Sequence, residues 1–291
     1  MTAAELLEEA ARALRSSGVE APELDAGRLL RHALGWDRAT LVASPSAAVP
    51  TEAERQFRRL VAERARRVPL QHLTGAQAFW KHEFRVTPDV LIPRPETELL
   101  VEAALELLRG TTRPVIVDVG TGSGCIALSL AAERPEAAVH ATDLSERALA
   151  VARENAVSLG LAARVVFQLG DLLQPVADLG GRIDLVVSNP PYVDPAERDT
   201  LAPEVRDHEP PQALFPPGDA LAVYRRLVPE AARSLAPGGA LVLEIAPGLA
   251  EAVTSLLRAH GFEQIEVRSD LAGRPRAVLG RRALGPEPRV G

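Results

Sequence analysis

Residues 114–124 have the sequence Pro-Val-Ile-Val-Asp-Val-Gly-Thr-Gly-Ser-Gly, and a helical pattern follows from Cys125 to Glu133. This order predicts a buried strand, a glycine turn and a helix. Alternate glycines allow a sharp turn and a close approach to a ligand, and the first N–H groups of the helix are free to donate. The spacing differs from the Gly-x-Gly-x-x-Gly of dinucleotide-binding proteins. The turn predicts binding residues at five consecutive positions: Gly120, Thr121, Gly122, Ser123 and Gly124.

A carboxylate follows each of the next two predicted strands. Asp143 follows the strand 138–142 and lies 23 residues after Gly120, where a carboxylate can accept hydrogen bonds from both hydroxyls of a ribose. The alternative is that Asp143 caps the helix that starts near Ser145, which we consider weaker beside the glycine turn. Asp171 follows a third strand, 164–168, and is placed to meet the amino edge of an adenine. Three strand ends therefore point to one nucleoside.

An apolar strand, 183–188, leads into Asn189-Pro190-Pro191-Tyr192. The Asn189 side chain and the Pro190 carbonyl are acceptors, the prolines restrict the backbone, and Tyr192 offers a flat apolar wall. Such a group can grip a planar NH2. The alternative is a proline-rich turn that closes a buried strand. The chain has only two asparagines, Asn155 and Asn189, so an asparagine at this strand end favours the binding interpretation.

Taken together, the ordered motifs resemble those of class I S-adenosylmethionine-dependent methyltransferases that act on planar amino or amide nitrogens. Further segments narrow the resemblance to the HemK family, the release factor glutamine methyltransferases, over about residues 1–282. The most specific of these segments is Leu-Ile-Pro-Arg-Pro-Glu-Thr-Glu at 91–98. The others are Arg-Val-Pro-Leu-Gln-His-Leu-Thr-Gly at 67–75 and Glu-Pro-Pro-Gln-Ala-Leu at 209–214.

This resemblance implies methyl transfer from S-adenosylmethionine to the glutamine side-chain amide in the Gly-Gly-Gln loop of class-1 peptide chain release factors. Asn189, Pro190 and Tyr192 would be catalytic, and these three with Pro191 would bind substrate. Leu172 stands where the family commonly has an aromatic residue, so an aliphatic contact to adenine is expected. The cofactor site would comprise Gly120 to Gly124, Asp143, Asp171, Leu172 and Asn189. Second-tier candidates are Arg94, Glu96 and Thr97.

Two other functions fit parts of the pattern. A DNA or RNA adenine amino-methyltransferase presents the same NH2 geometry, but it needs a basic surface and usually a base-flipping pocket. The net charge of −6 and the lack of a basic extension argue against it and against direct nucleic-acid binding. A cofactor-binding module that has lost catalysis is disfavoured because the Asn-Pro-Pro-Tyr motif and the ribose carboxylate are both intact.

The pattern predicts an α/β protein with a small N-terminal helical domain. Residues 1–75 show apolar faces at helical spacing and two capping-box patterns, Thr2 with Glu5 and Thr51 with Glu54. Arginines between 55 and 67 suggest a nucleic-acid patch, but 11 basic and 10 acidic residues up to residue 75 favour a solvated face that helps to dock a protein. A β-hairpin linker is expected at 76–93. Residues 94–282 should form a Rossmann-like, seven-stranded, mainly parallel sheet, and 283–291 a disordered tail.

Composition excludes several other classes. Cys125 is the only cysteine, so an internal disulfide and a multi-thiolate metal site are impossible. The six histidines show no paired ligand spacing, and no metal is expected. No uninterrupted apolar run is long enough to span a membrane, and the N-terminus is acidic rather than signal-like. We therefore expect a cytoplasmic protein without a membrane partner.

Overall fold

A computed structural model describes residues 1–284, and the chain divides into two compact units. The first comprises Met1–Ala76 together with Leu201–His208; the second comprises Gln77–Thr200 together with the described residues from Glu209 onward. The disordered tail predicted at 283–291 lies outside the described residues from 285 onward. Within residues 1–284, no helix has the length and apolarity that crossing a membrane requires.

The first unit is helical. The predicted capping box at its start is confirmed, because the Thr2 hydroxyl accepts from the Glu5 N–H at 3.3 Å and the Glu5 carboxylate accepts from the Thr2 N–H at 2.8 Å. The box predicted at Thr51 is wrong: Thr51 already lies inside the helix, and Glu54 pairs with Arg58 at 3.0 Å. The helices are α1 (Ala3–Ser16), α2 (Pro22–Leu34), α3 (Arg38–Ala43), α4 (Thr51–Ala65), α5 (Leu70–Thr74) and, from the later segment, α9 (Pro203–His208).

Acidic partners neutralise much of the arginine-rich helix α4. Arg55 pairs with Glu52 on the surface, and Arg64 pairs with Asp25 at 2.8 Å in a buried position. Interleaved acidic and basic side chains of this kind fit a solvated helix face better than a nucleic-acid patch. The apolar faces of α1, α2 and α4 meet in one core, which includes Leu14, Leu29 and Phe57.

A β-hairpin forms where the sequence predicts one. Its strands are β1 (Ala76–Phe79) and β2 (His82–Arg85). The turn between them places Trp80 at φ 55°, an unusual conformation for a residue with a side chain. Phe79 and Phe84 pack edge to face with ring centroids 6.0 Å apart, so the hairpin carries its own aromatic contact.

The second unit contains the predicted seven-stranded sheet, in the order β5-β4-β3-β6-β7-β9-β8. Strands β3 to β7 pair with one another in parallel, and β9 is antiparallel to both β7 and β8. The expected mainly parallel sheet is confirmed. The strands are β3 (Val115–Val119), β4 (Ala138–Asp143), β5 (Val165–Leu169), β6 (Ile183–Ser188), β7 (Leu235–Glu244), β8 (Phe262–Ser269) and β9 (Pro275–Arg282).

Successive residues of the central strands enter two cores on opposite faces of the sheet. Ile116 and Leu185 belong to the core that includes residues of α6 and α7, while Val117 and Val186 belong to the core under α11 and α12. This double burial explains why the strands are continuously apolar. The helices of this unit are α6 (Glu98–Leu107), α7 (Cys125–Glu133), α8 (Glu146–Ser158), α10 (Pro211–Leu214), α11 (Ala222–Ser234) and α12 (Ala250–Ala259).

Candidate active site

A cavity of about 530 Å³ opens beyond the carboxyl ends of β3, β4 and β6. Its position is the one at which open parallel sheets bind ligands, and its volume lies within the usual range for small-molecule sites. Most of the residues that the sequence singles out line it: Gly120, Thr121, Gly122, Ser123, Asp143, Asp171, Leu172, Asn189, Pro190 and Pro191.

The glycine turn forms one wall of the cavity. Gly120 and Gly122 have φ of 72° and 56°, and a Cβ added at either would meet no protein atom within 4 Å. Glycine therefore leaves open space at the cavity, where a ligand can approach the backbone. Gly124 differs, since it caps α7 outside the cavity wall and its Cβ would lie 3.0 Å from Leu128. The structure therefore places Gly124 at the start of α7, close to Leu128 and to Ala152 of α8, and outside the residues that line the cavity.

Asp118, which the sequence analysis did not single out, holds this turn together. Its Oδ2 accepts from the Thr121 hydroxyl at 2.6 Å and from the Ala127 N–H at 3.1 Å. Burial raises the pKa of the Asp118 carboxyl to about 7, against the lowering effect of these two donors. The carboxylate thus ties the glycine turn to the first turn of α7.

Asp118 should make stability depend on pH. The pKa of Asp118 in the folded protein, about 7, exceeds its usual value. Its favourable contribution to the unfolding free energy is therefore complete below a pH of about 4 and is lost as the pH rises to about 7. We expect the unfolding free energy of the wild type, minus that of Asp118→Asn, to fall across this window and stay constant outside it. Urea titrations of both proteins at pH values from 4 to 8 measure this difference, and a difference that does not vary with pH would contradict it.

Asp143 is rigidly held at the cavity. Its Oδ2 accepts from the Gly122 N–H and its Oδ1 from the Ser145 N–H, each at 2.9 Å. The helix cap is Ser145, whose hydroxyl accepts from the Ala148 N–H, so Asp143 is not the N-cap. Burial raises the pKa of Asp143, while the backbone donors act to lower it. Each oxygen keeps further acceptor capacity for a hydroxyl donor.

Asp171 and Leu172 form the next part of the wall. One Asp171 oxygen pairs with Arg226 of α11, which also lines the cavity, and Oδ1 is buried with no hydrogen-bond partner among residues 1–284. Leu172 is held at φ 49°, and its carbonyl accepts from the Thr142 hydroxyl at 2.8 Å. An unpartnered buried acceptor at a cavity is available to a donor on a ligand.

The structure places the residues of the Asn-Pro-Pro-Tyr motif in two different environments. Asn189, Pro190 and Pro191 line the cavity, whereas Tyr192 packs against the core under α11 and α12. The Tyr192 hydroxyl donates to Glu244 Oε1 at 3.2 Å, and burial with the nearby Glu244 charge raises the pKa of the phenol. Tyr192 is connected to the cavity wall only indirectly, because Glu244 in turn accepts from the hydroxyl of Thr97, which lines the cavity.

The second-tier candidates also have different placements. Thr97 lines the cavity and bonds to Asn189, with Nδ2 of Asn189 donating to Thr97 Oγ1 at 3.3 Å. Arg94 lines it too and pairs at 2.5 Å with Glu209, which is 4% exposed. Glu96 is not part of the wall and lies 4.0 Å from Arg276.

Family models and curated relatives match most of the chain. The PrmC N-terminal domain model matches residues 5–75, and the Methyltransferase small domain model matches residues 95–219. A release factor glutamine methyltransferase from Deinococcus radiodurans is 48% identical over 283 residues, 97% of this chain and 99% of the relative. One from Cereibacter sphaeroides is 46% identical over 281 residues, again 97% and 99%.

Among solved structures, the hMettl16 catalytic domain in complex with MAT2A 3'UTR hairpin 6 has a TM-score of 0.56 at 16% identity. The match covers 72% of this chain and 77% of that one. At this identity the likeness concerns the fold alone.

Proposed function

The chain belongs to the family of release factor glutamine methyltransferases, and we propose that it methylates the side-chain amide nitrogen of the Gly-Gly-Gln glutamine in class-1 release factors, with S-adenosylmethionine as donor. The observation that carries the proposal is the position of Asn189 and Pro190, the amide-gripping pair of the sequence, on the wall of the cavity. The relatives at 46% and 48% identity, which match nearly end to end, support the same activity. A translation factor as substrate also supports action in the cytoplasm.

The chemistry of the wall fits S-adenosylmethionine. We assign the ribose hydroxyls to the Asp143 carboxylate, the adenine amino group to the free Asp171 oxygen, and the adenine face to Leu172. Gly120 to Ser123 would lie along the rest of the cofactor. When bound, the cofactor supplies an electrophilic methyl group on a sulfonium.

The protein's part in the reaction is to present a poor nucleophile in the correct orientation. The lone pair of an amide nitrogen is delocalised into its carbonyl, so the nitrogen must be aligned and its developing positive charge stabilised. We assign one substrate N–H to Asn189 Oδ1 and the other to the Pro190 carbonyl. No strong base is required, because an alkylated amide nitrogen loses its proton readily. Pro191 restricts the backbone of this pair, and Tyr192 supports it from the core side.

Intact-mass analysis of a class-1 release factor incubated with this protein and S-adenosylmethionine tests the proposal. One methyl group should be gained by the wild-type factor and none by a factor whose Gly-Gly-Gln glutamine is replaced by alanine. Duplex DNA serves as the parallel substrate. Methyl transfer to DNA and not to the factor would replace the proposal with the adenine alternative.

Asp143→Ala should weaken cofactor binding, because two hydrogen bonds from the ribose to a charged acceptor are lost. Bonds of this type contribute about 1.5–3 kcal/mol each, so the loss of two should lower the affinity at least roughly 100-fold. Titration calorimetry with S-adenosylmethionine measures the effect. Asp178→Ala, the same change at an exposed carboxylate that does not line the cavity, is the control. Equal affinities of the two variants would remove Asp143 from the cofactor site.

A further inference from the structure

We infer that Glu244 and Thr97 are positioning residues that decide which end of the Asn189 side-chain amide faces the substrate. The inference rests on the proposed function, since the substrate amide is the group that Asn189 would meet. It assigns a role to a buried carboxylate that the proposed methyl transfer does not otherwise use.

The register of the sheet brings these residues together. Ser188 at the end of β6 pairs with Leu243 of β7, so Asn189 and Glu244 follow at the same level on neighbouring parallel strands. Thr97, from the segment that precedes α6, lies between them. Its hydroxyl donates to Glu244 Oε2 at 2.6 Å and accepts from Asn189 Nδ2 at 3.3 Å. Thr97 is 3% exposed and Glu244 1%, so water cannot readily replace either contact.

The available donors and acceptors fix the direction of each hydrogen bond between Glu244, Thr97 and Asn189. An ionised Glu244 can only accept, and Thr97 has a single hydroxyl proton, which it donates to Glu244. Thr97 can then only accept from Asn189, so the NH2 end of Asn189 faces Thr97. Its Oδ1 is the end left for the cavity, where an acceptor is needed for the substrate N–H. When Glu244 is ionised, this orientation follows from the numbers of donors and acceptors.

Protonation of Glu244 reverses the direction. A neutral carboxyl group can donate to Thr97, whose own proton then turns toward Asn189. Asn189 would present Oδ1 to Thr97 and NH2 to the substrate, which places donor against donor. The Tyr192 hydroxyl, which donates to Oε1, stabilises the ionised form that keeps Oδ1 exposed.

Both states of Glu244 are accessible near neutrality. Burial raises its pKa to about 7, and the hydrogen bonds from Thr97 and Tyr192 act in the opposite direction. Two charged side chains also act on Glu244: Arg276 lowers its pKa and Glu96 raises it. In turn, the Glu244 charge contributes to the raised pKa values of Tyr192, Tyr224 and Cys125. Because the pKa values of Tyr192, Tyr224, Cys125 and Arg276 are all raised above values that already lie above 7, Glu244 is the group of this set expected to change state near pH 7.

Asparagine-selective ¹⁵N labelling tests the orientation directly, without substrate or cofactor. The chain has two asparagines, so the labelled protein gives two side-chain NH2 pairs, and Asn189→Asp identifies one of them. The Asn189 pair should shift with pH, with a midpoint near 7, in the wild type and lose this transition in Glu244→Gln. The Asn155 pair, which donates to the carbonyls of Arg85 and Ser123, is the internal reference. An Asn189 pair without a transition, or with the same transition in Glu244→Gln, would overturn the inference.

Turnover supplies the second readout. In the wild type, kcat should fall as the pH drops below about 7, and Thr97→Val should lower kcat at pH 8 by roughly 10-fold, the loss expected for one orienting hydrogen bond, with KM for the cofactor unchanged. Thr97→Ser keeps the hydroxyl and should restore most of the rate. Tyr224→Phe is the matched control: it removes a bond to the Glu244 backbone carbonyl, at 2.7 Å, and leaves the carboxylate partners in place, so the pH profile should keep its shape.

The two proposals fail in distinguishable ways. A wild-type protein that methylates no release factor but shows the Glu244-dependent Asn189 shift would overturn the proposed substrate and support the positioning role. Methylation of the release factor by the wild type, together with an unchanged kcat in Thr97→Val, would support the proposed substrate and overturn the positioning role.

Discussion

Asn189→Ala should lower turnover about 10²–10³-fold, the range observed when one preorganised polar group that stabilises a transition state is removed. The truncation deletes the Oδ1 acceptor that holds one substrate N–H, and the remaining Pro190 carbonyl cannot fix the plane of the amide by itself. The affinity for S-adenosylmethionine should change little, because the groups assigned to the ribose and the adenine are untouched.

Single-turnover kinetics followed by mass spectrometry, combined with calorimetry, separate the two effects. Asp143→Ala provides the crossed comparison, since it should lose cofactor affinity and retain turnover at saturating cofactor. Near-normal turnover of Asn189→Ala would end the orienting role. A loss of cofactor affinity as large as the loss of turnover would instead assign Asn189 to the cofactor site.

The features that the sequence predicts well are those contained in one strand and the turn after it. The glycine turn, Asp143 and the Asn189 to Pro191 segment each follow directly from a buried strand, and parallel strands bring their carboxyl ends to one edge. For this reason a single cavity wall can be predicted without knowing any distance. The resemblance of the motifs to a known family then narrows the chemistry.

Features that depend on register or on distant segments are not predictable in this way. Glu244 has the appearance of a polar end to an apolar strand, and only the pairing of β6 with β7 places it beside Asn189, 55 residues earlier in the chain. Tyr192 illustrates the same point, because its hydroxyl bonds to Glu244 instead of facing the cavity. The capping box predicted at Thr51 does not form, and Glu54 pairs instead with Arg58, one helical turn later.

The inclusion of Leu201–His208 in the helical unit is a further feature without a local sequence signal. Glu204 accounts for it: Arg67 donates to its two oxygens from Nε and Nη2, each at 2.7 Å, and Arg64 contacts it at 2.9 Å. Burial acts to raise the pKa of Glu204, but the hydrogen bonds from Arg67 and Arg64 hold it below its usual value. Arg64 is therefore shared between this segment and Asp25.

Arg64→Met should destabilise the helical unit by about 3–5 kcal/mol, because it leaves a buried carboxylate without its cation. The side chains of Arg64 and Asp25 are 8% and 10% exposed and meet at 2.8 Å. Glu204 still pairs with Arg67 in this variant, so the loss of stability comes mainly from the unpaired Asp25 carboxylate. Replacing both members, as Arg64→Met with Asp25→Leu, should recover most of the loss, since an apolar pair needs no compensating charge.

Urea unfolding monitored by Trp36 fluorescence measures this loss in the correct unit. The chain has two tryptophans, and a Trp80→Phe background leaves Trp36, which packs against the helical core, as the only reporter. Arg55→Met is the matched control on the same helix: Arg55 and its partner Glu52 are 72% and 79% exposed, and such a pair contributes at most about 1 kcal/mol. If Arg64→Met and Arg55→Met unfold at the same urea concentration, the buried pair does not stabilise the unit. If the double replacement is no better than Arg64→Met, the loss comes from packing, not from an unpaired charge.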